Sequence, residues 1–74
     1  MPKQYSFWER GTRWYYCDIS QDLFKNWLVC RVWGDKVSRR GGRKEHLCEN
    51  LEEAEKLYQY VVKRRKSRKY EQKE

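Results

Sequence analysis

The stretch NWLVCRVWGDKVSRRGGRK, residues 26–44, is an alternating segment that ends on Trp33-Gly34 and runs directly into a basic loop containing two glycines. In an extended chain, side chains two apart share a face. The alternation therefore separates Leu28, Cys30 and Val32 from Trp27, Val29, Arg31 and Trp33. The first set is small and uncharged and suits a core. The second carries two indoles and a guanidinium and suits a working surface. Residues 13–20, RWYYCDIS, alternate as well, with Tyr15, Cys17 and Ile19 in one set and Trp14, Tyr16 and Asp18 in the other. Matching the apolar sets in a hairpin places Ile19 opposite Leu28, Cys17 opposite Cys30 and Tyr15 opposite Val32. The other face then pairs Tyr16 with Arg31 and Trp14 with Trp33, an aromatic platform with a cation at its edge. Beside it lies a loop carrying Lys36, Arg39, Arg40, Arg43 and Lys44.

Composition limits what such a platform can do. Seventy-four residues make one domain, and a chain that short buries only about 60% of the surface its unfolded form exposes, so no deep catalytic cleft is expected. Eighteen Lys and Arg against eleven Asp and Glu give a net charge of +7, and four Trp, six Tyr and two Phe are many aromatics for so polar a chain. Cations interleaved with flat rings point to a polyanion with flat faces, which means nucleic acid. A solvated surface around an aromatic core has the same composition.

Cys17, Cys30 and Cys48 are an odd number without a C-x-x-C pair. With no signal-like apolar segment near Met1 and no run long enough to span a bilayer, they fit a reducing, cytoplasmic setting with no membrane partner. The sharper alternative is a metal site assembled from Cys17, Cys30, His46 and Cys48. The spacing matches no zinc ribbon, and free cysteine packs well as a small apolar residue, so all three thiols are expected in the core, with no metal and no cofactor. His46 has no evident carboxylate or serine partner and makes no catalytic constellation; it is read as a structural or surface residue.

In chain order, residues 1–4 are expected to be loosely held. Residues 5–10, YSFWER, form a strand turned by Gly11-Thr12, with either Phe7 or Trp8 extending the core. The Leu23-Phe24 pair in loop 21–26 should tuck back against the sheet edge. Gly34 allows a bend or a close ligand approach. Residues 35–42 read as a loop; from Arg31 to Lys44 six cations face one acid, a local charge of +5 that favours a bound anion. Residues 43–49 read as the last strand, with an ambiguous pattern that suggests an edge or a transition. A helix follows, with Asn50 as N-cap, Glu53 as the capping-box carboxylate and Leu51, Ala54, Leu57, Tyr58, Val61 and Val62 on one stripe that covers the sheet. Lys63, Arg64, Arg65, Lys66, Arg68 and Lys69 suit the helix dipole, but dipole terms of about 0.3–1 kcal/mol each do not call for six mutually repelling cations. They mark a second polyanion contact or a frayed basic tail, and residues 70–74 are expected to lack order. The predicted fold class is α+β: a small antiparallel sheet of about four strands with one C-terminal helix packed on one face. It forms a single domain over 1–74, with its core at about 5–66 and a basic, partly frayed end at 63–74.

Several segments together resemble a known family. Tyr15-Tyr16, the QDLFKNW loop, RVWG at 31–34, SRRGGR at 38–43, the LEEAEK helix start and the KRRKSRKY ending are similar to a WGR domain, in the same order and at the same distances. The resemblance runs from about Arg13 to Tyr70 and implies a small antiparallel sheet with one helix across it. WGR domains are best known in poly(ADP-ribose) polymerases, where they help recognise DNA breaks, and short stand-alone WGR proteins occur in bacteria. The resemblance makes Trp33 the residue that packs against a sugar at a broken end, with Gly34 as its backbone partner. Asp35 departs from the pattern: the family has an arginine there that contacts DNA or a neighbouring domain. Polymerase-style end recognition would then need compensation from Arg39, Arg40 or Arg43.

Residues 1–74 leave no room for the catalytic domain of the polymerases and supply no nucleophile, paired acid or cofactor loop, so a non-enzyme is expected. Two readings follow. In one, the domain binds DNA independently of sequence, favouring ends or breaks, through Trp33, Gly34, Arg31, Trp14, Lys36, Arg39, Arg40, Arg43 and Lys44. In the other, the same aromatic face docks a protein partner as an adaptor, since exposed Trp, Tyr and Arg also anchor protein interfaces.

Overall fold

The computed structural model describes residues 4–74; the expectation for residues 1–3 lies outside them. Four strands follow in order: β1 (Gln4–Arg10), β2 (Arg13–Gln21), β3 (Trp27–Asp35) and β4 (Gly41–Cys48). Helix α1 (Leu51–Ser67) comes next, and a fifth, two-residue strand, β5 (Glu71–Gln72), closes the chain. The sheet order is β4-β3-β2-β1-β5 and every pairing is antiparallel. Gly11, in the left-handed region at φ +58°, makes the tight β1–β2 turn. The α+β class therefore stands, with β4 as the expected edge and one strand more than four.

The β2–β3 register differs from the expected one by a single residue. Tyr15 pairs with Trp33, Cys17 with Arg31 and Ile19 with Val29. A slip of one residue exchanges the two faces of a strand, so Trp27, Val29, Arg31 and Trp33 lie with Tyr15, Cys17 and Ile19 on the face toward α1. Leu28, Cys30 and Val32 join Trp14 and Tyr16 on the outer face. The cause is the connection at residues 22–26. Asp22 Oδ1 accepts from the Phe24 and Asn26 amides at 2.8 and 2.9 Å, its Oδ2 accepts from Asn26 Nδ2, and Lys25 takes a left-handed conformation, which fixes a five-residue loop between Gln21 and Trp27. That cage also holds Leu23 and Phe24 away from the sheet. They are 97% and 84% exposed and do not tuck back as expected.

The core sits between the inner sheet face and α1. It comprises Trp8, Tyr15, Cys17, Ile19, Val29, Cys48, Ala54, Tyr58 and Val61, with Trp27, Trp33, Leu57, Val62 and Tyr70 packed around it. Trp8 rather than Phe7 extends it, and the indole N–H donates to Ser6 Oγ at 2.8 Å, so the buried ring leaves no orphan donor. Asn50 is the N-cap as expected, the Glu53 amide donating to Asn50 Oδ1 at 2.8 Å, but the expected return bond from the Glu53 carboxylate is not among the bonds of the described residues, and Leu51, expected on the stripe over the sheet, is exposed. All three thiols are buried. Burial pushes the Cys17 thiol up to about 12, so it stays protonated and inert.

Residues 70–74, expected to lack order, are tied down. The Tyr70 amide donates to Arg65 O and the Lys69 amide to Lys66 O, both at 3.0 Å, with Lys69 at φ +63°. This is a Schellman stop that turns the chain back along the sheet. The Phe7 amide then donates to Glu74 O at 3.1 Å and the Lys73 amide to Phe7 O at 2.8 Å, completing β5 beside β1.

Candidate nucleic-acid interface

Helix α1 begins beside the end of β4, where Cys48 pairs with Trp27, and runs back across the sheet. Its last turns reach Tyr15, where the Arg65 guanidinium lies over the Tyr15 ring at 4.1 Å and over the Tyr70 ring at 5.0 Å. Tyr15 stacks on Trp33 with centroids 6.0 Å apart and planes at 13°, and the Arg31 guanidinium lies 5.6 Å from the Trp33 centroid. Tyr15 and Trp33 are thus two stacked rings, each with a guanidinium against it, Arg65 on Tyr15 and Arg31 on Trp33, and the two cation–π contacts are worth about 0.5–2 kcal/mol each. The basic helix end and the basic β3–β4 connection, separated in the sequence, thus meet at one end of the molecule.

At that end the glycines have a packing role. A Cβ on Gly34 would stand 2.7 Å from the Trp14 ring, and one on Gly42 would stand 2.7 Å from the Trp33 ring. Each indole therefore lies flat on the backbone of a neighbouring strand, Trp14 on the outer face and Trp33 on the inner one. The close approach expected at Gly34 is real, but the group that makes it is Trp14. Both indoles border an open recess at the sheet end, together with Gly34, Asp35, Arg40 and Tyr70. Trp33 is half-buried on the helix side; the expected fully accessible platform pairing Trp14 with Trp33 does not form, because the register puts the two rings on opposite faces.

Asp35 organises the loop that follows. Its Oδ1 accepts from the Val37 and Ser38 amides at 2.8 and 3.1 Å and its Oδ2 from the Thr12 hydroxyl at 3.1 Å. The Asp35 amide donates to Arg40 O and the Arg39 amide to Asp35 O, both at 2.9 Å. The two loop amides hold its carboxyl below the usual carboxylate range. The acid is therefore satisfied within the loop. The loop itself spans residues 36–40, since Gly41 and Gly42 belong to β4.

The expected contact residues fall into two groups. Arg39 and Arg40 are exposed on the loop, Arg31 and Lys44 are cross-strand partners on the inner face, and Trp33 lies beside them. Lys36 instead pairs with Glu9. Arg43 is on the outer face, where Glu45 lies 3.5 Å away. The outer face also carries Tyr5 stacked on Tyr16 and Phe7 stacked on Trp14, each at 6.2 Å, and the exposed Leu47. Arg65 and Tyr70 were missed as neighbours of Trp33; their only signal was the basic, tyrosine-containing ending, which lacks a glycine to mark its turn. Cys17 and Cys30 point to opposite faces, and no group of three potential ligands among the described residues could hold a metal. No helix among those residues is long and apolar enough to cross a membrane.

No curated protein and no solved structure matches the chain significantly. The family model described as WGR domain matches residues 4–74. The flat packing of Trp33 and Trp14 on glycines, the sheet crossed by one helix and this near-complete match agree, and the chain belongs to the WGR domain family.

Proposed function

We propose that this domain is a non-catalytic, sequence-independent DNA-binding module, acting through the basic end of the fold and favouring ends or breaks. The carrying observation is the segregation of charge. Helix direction brings Arg64, Arg65 and Lys66 toward Arg31, Lys44, Arg39 and Arg40, while Glu52 and Glu53 stay at the opposite end. The acids beside the recess are engaged, Glu9 by Lys36, Glu71 by Lys73 and Asp35 by its loop. Phosphates would meet Arg39, Arg40, Lys44 and the helix end, and an exposed sugar or base would enter the recess against Trp33 and Trp14. No helix is presented for reading a groove, so binding is independent of sequence. The test is a binding comparison across nicked, blunt-ended, single-stranded and closed circular DNA. Trp33→Ala should weaken binding to broken or single-stranded DNA more than to intact duplex; equal losses would remove the stacking role.

A protein-adaptor reading is favoured by one observation, the outer face. Its rings and Leu47 are accessible and its cations are matched by Glu9 and Glu45, which suits a protein better than a phosphate backbone. Absence of binding to any nucleic acid at low salt would decide for it.

A further inference from the structure

Arg31 and Lys44 are directly opposed on β3 and β4 and project to the same face. Like charges in that position repel. Among the described residues neither pairs with a carboxylate, and Glu45, next to Lys44 in the sequence, projects to the other face beside Arg43. A third cation comes from α1: Arg65 lies over Tyr15, and Arg31 is the cross-strand partner of Cys17, the next residue on the same face of β2, so the two side chains share one face of the sheet at neighbouring positions. The inner nitrogen of each, Nε, is sealed from solvent with no acceptor, so these planes are held by the rings of Trp33, Tyr15 and Tyr70 and not by an anion of the protein. What exposure Arg31 and Arg65 keep belongs to their other atoms. His46 is two residues from Lys44 on the same face, and burial together with Arg31 and Lys44 holds its pKa below the ordinary value.

We propose that Arg31, Lys44 and Arg65 form a site for one phosphoryl oxyanion, with His46 as its immediate neighbour. Three cations on one face from β3, β4 and α1, without a carboxylate partner among the described residues, offer donors from several directions. A tetrahedral oxyanion has enough oxygens to receive them all, whereas a carboxylate has two. The planar guanidinium groups, fixed by stacking, lose little freedom on binding. The site lies on the helix side of the sheet and not in loop 36–40, where the density of arginines in the sequence drew attention. It rests on the DNA reading and deepens it by giving one phosphate a fixed seat, but it is testable without DNA.

His46 is the chain's single histidine, so its ring signals report the site without ambiguity. The intact chain is titrated with inorganic phosphate or pyrophosphate, with chloride and acetate at equal ionic strength as comparisons, while His46 is followed by NMR across pH. Phosphate should shift the signals saturably and raise the His46 pKa, because the bound anion offsets Arg31 and Lys44. Arg65→Gln and Lys44→Gln should each weaken phosphate binding about tenfold or more, the loss expected for a charge-assisted contact, with helix content unchanged; Lys56→Gln should not. An equal response to chloride or acetate, or a phosphate response untouched in both variants, overturns the proposal. A thymidine oligonucleotide lacking terminal phosphates separates the sources. If it binds without moving His46, the site is refuted while DNA binding stands. A response to phosphate with no oligonucleotide binding at low salt keeps the site, assigns it to a free phosphate group and removes the DNA reading.

Discussion

A methyl group at Gly41 would meet Trp33 O at 2.2 Å and Gly34 Cα at 2.9 Å, both backbone atoms that cannot swing aside. One at Gly42 would meet the Trp33 ring at 2.7 Å, a side chain that can tilt. Gly41→Ala should therefore be the more damaging change, at or above the upper end of the about 1–3 kcal/mol typical of overpacking, with Gly42→Ala inside that range. Urea unfolding of the two variants checks the order, and a reversed order would mean that the indole is the more rigid neighbour. Asp35 makes a different prediction. Its folded pKa is lowered, so the stabilisation it gives the loop is fully present above its unfolded value, near pH 4, and is lost as pH falls through the lowered one. Protection of the Val37 and Ser38 amides, measured by NMR as exchange relative to the intrinsic rate at each pH, should fall on acidification below that point and should be low at neutral pH in Asp35→Ala. The Asp35 carboxylate is a loop cap, so substitution by a residue without acceptors should loosen Arg39 and Arg40.

The elements were unevenly legible in the sequence. Helix α1 was plain because Asn50, Glu53 and the apolar stripe agreed, and Asn50→Ala should cost about 0.5–2 kcal/mol in thermal or urea unfolding. The faces of β3 were not, since Val29 on one side competes with Leu28, Cys30 and Val32 on the other, and apolar content alone favours the wrong set. The deciding feature was the Asp22 cage, which sets loop length and hence register; its signal was an aspartate four residues before an asparagine, with nothing apolar about it. The basic and aromatic character of the site was legible, but its partition between two faces depended on that same register. The ending was misread because its Schellman turn uses Lys69, with no glycine to mark it. A side chain in the left-handed region costs about 1–2 kcal/mol, and Lys69→Gly, though it frees the unfolded chain, should recover up to about 1 kcal/mol without shortening α1. A loss of stability in that variant would show that the Lys69 side chain has a packing role beyond the turn.

For the molecule as a whole, the proposed DNA binding should depend steeply on salt. Each phosphate neutralised by Lys or Arg releases counterions, and affinity falls with a slope of about −0.9 per contact in a log–log plot. With about five contacts, a fourfold rise in salt should weaken duplex binding roughly 500-fold. On the proposed function those contacts come from the helix end and loop 36–40. Replacing Arg64 and Lys66 at the helix end by glutamine should flatten the slope by about 2 if both touch phosphate, while Leu47→Ser on the outer face should leave slope and affinity unchanged. Fluorescence anisotropy over a salt series distinguishes this from the adaptor reading, in which nucleic acid binding would be absent at low salt. A slope unaffected by the helix-end variant, with loop substitutions at Arg39 and Arg40 still effective, would confine DNA to the loop. The long basic stretch of α1 would then serve the dipole and solubility alone, a role that six cations in seven positions fit poorly because of their mutual repulsion.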